Sequence, residues 1–158
     1  MKIKLLLLSI FLSACGGSLT DEQRKKAKES IALNQIKKIT DSEITAAAFT
    51  YGRTIANQVA AKNPRPGFID SLAASYHVKI LLLKPGDTYL SDKEKLIMEA
   101  YASVTNKSDF SDNIQKISAD SILYTQPILK ENPDGSFFFD HALGIRMPKK
   151  EIVLSIKN

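Results

Sequence analysis

Ile122-Leu123-Tyr124-Thr125-Gln126-Pro127-Ile128-Leu129-Lys130, followed by Asn132-Pro133-Asp134-Gly135 and then by Ser136 to Met147 (SFFFDHALGIRM), is the stretch whose reading decides the fold. The first segment alternates in strand fashion, the tetrapeptide carries a strong turn signal, and the last segment is again a strand, so together they predict an antiparallel hairpin. Strict alternation places Phe137, Phe139, His141, Leu143, Ile145 and Met147 on one face of the second strand. Phe138, Asp140, Ala142, Gly144 and Arg146 then share the other.

Outward from the hairpin, His77 to Lys84 (HVKILLLK) is an apolar run of strand length closed by Pro85-Gly86-Asp87, which reads as a buried strand and a turn. Between these strand signals the period changes. Ser91 with Glu94 forms a capping-box pattern, and Leu96, Ile97, Ala100, Tyr101 and Val104 continue it as a helix that ends before the polar stretch Thr105 to Asp112. Nearer the start, Thr40 with Glu43 repeats the cap, and Ile44, Ala48, Tyr51, Ile55 and Val59 form a regular apolar stripe. That helix must stop by Asn63, because Pro64 and Pro66 remove amide donors and disfavour helix in the residues before them. A short helix over 67–76 follows, with Phe68, Leu72 and Tyr76 inward. Thr20 with Gln23 caps an earlier helix beginning near Asp21, with Ala32, Ile36 and Ile39 in register, and Lys149 to Asn158 fits a final helix or a strand. The expected fold class is α+β, with N-terminal helices packed on a small antiparallel sheet.

The composition is that of a globular domain: 158 residues, 44% hydrophobic and 25% charged. One cysteine and no tryptophan exclude a disulfide framework or a multi-thiolate zinc site. That cysteine closes a distinctive N-terminus. Lys2 and Lys4 precede the apolar run Leu5 to Leu12, too short to span a bilayer as a mature helix, and Leu12-Ser13-Ala14-Cys15-Gly16 resembles the lipobox of bacterial lipoproteins. The expected organisation is a signal peptide over 1–14, a lipidated tether over 15–20 and one α+β domain over 21–158. Acylation at Cys15 anchors the chain to the membrane, since each buried methylene contributes about 0.8 kcal/mol. Gly16 in place of an acidic retention signal makes the outer membrane of the bacterial envelope the expected site, with the domain facing periplasm or surface.

Loss of Lys2 and Lys4 leaves 20 basic against 17 acidic residues, a charge of +3. The segment from Asp21 to Ile39 accounts for that excess, with Arg24, Lys25, Lys26, Lys28, Lys37 and Lys38 against Asp21, Glu22 and Glu29. No aromatic residue interleaves with these cations, so nucleic acid is not an expected partner.

Catalytic patterns are absent from the sequence. A triad base could only be His77 or His141, and neither lies in a nucleophile motif. Asp109, Asp112 and Asp120 lack the spacing of a calcium loop and read as solvated acids or caps, so no metal site is expected. The chain is read as a non-enzyme.

Laid in order, several segments resemble the c-type haem family of small bacterial lipoproteins and sensor ectodomains. They are Tyr51-Gly52-Arg53-Thr54-Ile55-Ala56, Ser71-Leu72 to Val78-Lys79-Ile80, Asp92-Lys93-Glu94-Lys95 to Glu99-Ala100-Tyr101, Leu123 to Ile128, and Gly144-Ile145-Arg146-Met147-Pro148 to Ile152. The resemblance implies a PAS-like sheet and a haem attached through C-x-x-C-H. Leu129 to His141 holds no cysteine, so covalent haem is excluded and no cofactor is expected, with His77 or His141 the only imidazoles available to a non-covalent one. Folds of this kind enclose ligands against the sheet, which places a candidate pocket near Tyr51, Ile80, Tyr101, Tyr124, Phe139 and His141. The leading expectation is a lipid-anchored binding or sensing module for a small molecule or an envelope protein. The alternative is a structural or protein-partner lipoprotein without a small ligand, which a densely packed sheet face would favour.

Overall fold

The computed structural model describes residues 20–33, 38–61 and 67–156. The chain divides into two compact units, Met1–Lys38 and Ile39–Asn158. The described part of the first unit is helix α1 (Asp21–Leu33). Its capping box is formed: Thr20 N–H donates to Gln23 Oε1 at 3.0 Å and Gln23 N–H to Thr20 Oγ1 at 3.4 Å. Arg24, Lys25, Lys26 and Lys28 are exposed. The signal peptide, Cys15 and the Gly16–Leu19 tether lie outside the described residues.

The second unit is α+β. In chain order it contains α2 (Asp41–Ala61), α3 (Phe68–Ser75), β1 (Lys79–Leu83), α4 (Asp92–Ala102), β2 (Asn113–Lys116), β3 (Ser121–Glu131), β4 (Phe137–Pro148) and α5 (Lys149–Ile156). The strands form one antiparallel sheet in the order β1-β4-β3-β2. The hairpin is tied at its turn by Asn132 N–H to Ser136 O at 2.8 Å and Gly135 N–H to Asn132 O at 2.9 Å, with Gly135 at φ 83, a value that favours glycine. The capping boxes at Thr40 and Ser91 start α2 and α4, and Lys149 to Ile156 resolves as helix.

Helices cover both faces of the sheet. On one, α2, α3 and α5 bury Ile44, Ala48, Ile55, Leu72 and Ile152 against Ile122, Tyr124, Leu143, Ile145 and Met147. On the other, α4 buries Ile97, Met98 and Tyr101 against Leu83, Leu123 and Ala142. Two glycines admit close packing, one between α2 and the sheet and one between neighbouring strands of the sheet. A Cβ on Gly52 of α2 would lie 2.5 Å from Tyr124 Cγ, and one on Gly144 of β4 would lie 2.5 Å from Leu83 Cδ1.

Four expectations change. β1 is an edge strand and not a buried one, with Leu82 51% exposed. In α4, Leu96 (64% exposed) and Ala100 turn outward, whereas Glu94 and Met98 turn in. β2 falls where the sequence shows no strand signal. It pairs only with residues 122–125 of β3, and Pro127, the next residue to face that side, has no N–H to extend the ladder. Lastly, a register shift opposes Ile128 to His141 but Leu129 to Phe139, leaving Asp140 as an extra residue. The bulge reverses the alternation, so Phe139 packs with Tyr101 on the α4 face while Leu143 and Ile145 stay on the α2 face.

Candidate functional site

The six residues proposed from the sequence to share a pocket are divided between the two faces. Tyr51, Ile80 and Tyr124 belong to the core beneath α2, and Tyr101 and Phe139 to the core beneath α4. The error traces to the bulge for Phe139 and, for Tyr101, to α4 packing on the opposite side of the sheet from α2. Tyr51 donates to Tyr76 O at 3.0 Å and meets the Tyr76 ring edge to face. Burial, then the nearby Glu151 and Tyr76, push its phenol above the ordinary value. Tyr101 Oη lies 3.0 Å from Thr125 Oγ1 and donates to Ser111 O at 3.1 Å, and burial raises its pKa despite the Thr125 bond.

Tyr124 is wholly buried, and its hydroxyl donates to Asp112 Oδ2 at 2.6 Å. Arg53 Nε donates to the same oxygen at 3.1 Å, and its guanidinium lies 4.5 Å from the centre of the Phe49 ring. Asp112 is thus a latch between α2 and the sheet, where the sequence suggested a solvated acid. Burial and the bond to Asp112 drive the Tyr124 phenol well above its ordinary range, outweighing the opposing effect of Arg53.

His141 sits at the bulge. Its Nδ1 lies 2.6 Å from Asp140 Oδ2, and Lys130 Nζ lies 2.9 Å from Asp140 Oδ1. Lys130, then His141, hold the Asp140 carboxyl below the usual range. Among the described residues the hydrogen-bond partner of the His141 ring is the Asp140 carboxylate. His77 is exposed in the turn before β1, at φ 53.

Among the described residues, a fully buried charge was missed. Glu94 is fully buried and accepts two bonds from Arg146, Nε to Oε1 and Nη2 to Oε2, both 2.7 Å. Ser91 N–H and Oγ also donate to Glu94 Oε2, at 2.9 and 2.8 Å. Burial raises this carboxyl's pKa, but the bonds from Arg146 and Ser91 outweigh it, and the net shift is downward. In the sequence Glu94 was accounted for by the capping box; a lone arginine between Gly144 and Met147 was the available signal that a strand face held a charge needing a partner.

Among the described residues no group of three or more His, Cys, Asp or Glu side chains could hold a metal. Open grooves occur at the rims of the sheet. One of about 210 Å³ lies between the start of α2 and β2, beside Asp41 and Lys149. Another, of about 380 Å³, runs between α4 and β2 and is lined by Lys93, Leu96, Ile97, Ala100, Tyr101, Asn113 and Gln115.

No protein-family model, curated protein or solved structure matches this chain.

Proposed function

We propose that the protein is a lipid-anchored, non-catalytic module of the bacterial cell envelope that works by presenting its surface to a protein partner. The supporting observation is the packing of the sheet. Where a PAS-like haem or ligand domain holds its guest, this chain brings helix α2 into contact with Tyr124 at Gly52, and on the opposite face α4 packs Ile97, Met98 and Tyr101 on Leu83, Leu123 and Ala142. Close packing on both faces favours the rims as the surfaces for binding. Anchoring rests on Cys15, the one thiol in the chain. No described helix is long and apolar enough to cross a membrane, so attachment falls to the acylated cysteine in this reading. The outer membrane is the proposed location.

The test combines acylation and ligand binding. Cys15→Ser should abolish fatty-acid labelling and release the protein from membranes. The released protein, mixed with hemin, should give no saturable Soret band, with or without His141→Ala. A Cys15→Ser chain that stays membrane-bound with its signal cleaved would overturn the anchor. A spectrum saturating at one haem per chain, and lost in His141→Ala, would replace the surface-binding reading with a cofactor-binding one.

A further inference from the structure

The groove between α4 and β2 combines several features. β2 has β3 on one side only. Ile117 N–H donates to Ser121 O at 3.0 Å, and by alternation the N–H and C=O of Ile114 and Lys116 point away from β3, toward the free edge. The facing helix supplies an apolar wall, Leu96 and Ala100, that is exposed to solvent. At one end Lys93 Nζ donates to the Lys116 backbone O at 2.7 Å, which fixes an ammonium in the groove, while the exposed Lys116 side chain shares the face of Ile114 and lies on the opposite side of the edge. Neither lysine has an acidic partner among the described residues. At the other end Asn113 Oδ1 is buried with no hydrogen-bond partner among the described residues.

We propose that this groove binds an extended, acidic peptide segment of a protein partner, added as a fifth strand along β2. The proposal rests on the reading of the chain as a partner-binding module and names what it binds. Backbone groups of the peptide pair with Ile114 and Lys116, as in other cases of strand addition to a sheet edge. An apolar side chain lies against Leu96 and Ala100. About 7 Å further along on the α4 side, at roughly 3.4 Å per residue, an acidic side chain reaches the Lys93 ammonium, and the acidic residue next to it, on the other face of the added strand, reaches Lys116. Rotation about the terminal torsion of Asn113, a soft one, turns its orphaned oxygen toward an incoming N–H. The charge at the lysine end selects the partner's sign, and the open edge selects its extended conformation.

The test uses the full chain in detergent micelles and an acetylated hexapeptide that alternates threonine and valine and ends in two glutamates. A counterpart ending in two lysines is the control. The glutamate peptide should shift the amide resonances of residues 113–116 and the Asn113 side-chain amide, and should bind about tenfold tighter than the lysine peptide. Leu96→Glu, at an exposed position, should weaken it by about tenfold or more with the remaining spectrum unchanged. The doubly reversed chain, Lys93→Glu with Lys116→Glu, should prefer the lysine peptide. Equal binding of both peptides, insensitivity to Leu96→Glu, or no binding at millimolar peptide would overturn the proposal. Shifts confined to another surface would overturn it while leaving the partner-binding reading in place. Shifts at Leu96 caused by phosphatidylglycerol vesicles, and by neither peptide, would assign the groove to the membrane and also overturn it.

Discussion

Gly52→Ala is the substitution for which helix propensity and packing give opposite signs. At an exposed helical site, replacing glycine with alanine stabilises by about 1 kcal/mol. Here the new methyl would lie 2.5 Å from Tyr124 Cγ, 2.6 Å from Cβ and 2.9 Å from Cδ2. These distances fall about 1 Å inside the ~3.5–4.0 Å optimum for carbon pairs. The clashing atoms are at the root of the tyrosine, whose hydroxyl is held by Asp112 and whose ring meets Phe49 edge to face. Tyr124 cannot swing away, so α2 must lift. A lift of about 1 Å forfeits up to half of the dispersion energy at the interface, and overpacking of this kind costs about 3 kcal/mol or somewhat more. After the propensity gain the net loss is about 2 kcal/mol. At about 4 °C per kcal/mol the melting temperature should fall by about 8 °C, measured by circular dichroism. Ala46→Gly, at an exposed position of the same helix, should lose about 1 kcal/mol from propensity alone. If Gly52→Ala proved more stable than the parent, the close approach of α2 to Tyr124 would be refuted.

Two further outcomes follow from the cores. Arg146→Met strands the Glu94 carboxylate inside the protein and should destabilise by about 3–5 kcal/mol, while the double variant Glu94→Gln with Arg146→Met should recover part of that loss in chemical denaturation. Because the folded-state pKa of Glu94 lies below its unfolded value, the pair stabilises the parent above about pH 4 and that contribution is lost as acid takes the pH down through the folded pKa. A parent-minus-Glu94→Gln stability difference that does not shrink on acidification would contradict this. Ile55→Asp places a charge at a wholly buried position of α2 and should cost several kcal/mol or prevent folding; an unchanged melting curve would mean that α2 does not face the sheet.

What was legible in the sequence was what local chemistry fixes. Three capping boxes marked the starts of α1, α2 and α4, and Asn132-Pro133-Asp134-Gly135 marked the hairpin, because each acts over three or four residues. β2 was not legible. Asn113-Ile114-Gln115-Lys116 holds one apolar residue, and its pairing depends on a β3 that comes later in the chain. The bulge at Asp140 left no mark either, and one unpaired residue moved Phe139 through the sheet, undoing the proposed pocket. Leu96 carried the helical period of a core residue, but tertiary packing turned the face of Glu94, Ile97, Met98 and Tyr101 inward instead. Glu94 shows a different gap: its role as a cap was read correctly, and that reading hid its second role as the partner of Arg146.

The two tight contacts at Gly52 and Gly144 fall on neighbouring rungs of the central ladder, since Tyr124 is opposite Ile145 and Thr125 is opposite Gly144. At that spot α2 sits close on one face, and on the other the Leu83 side chain of neighbouring β1 covers Gly144. Backbone amides around that spot should exchange with solvent only when the whole unit opens, whereas those of β2, four residues long and paired on one side only, should exchange through local fraying. Softness in this protein is gathered at its perimeter. An incoming strand can be accommodated there by small adjustments of the rim without loosening the layers that hold the domain together.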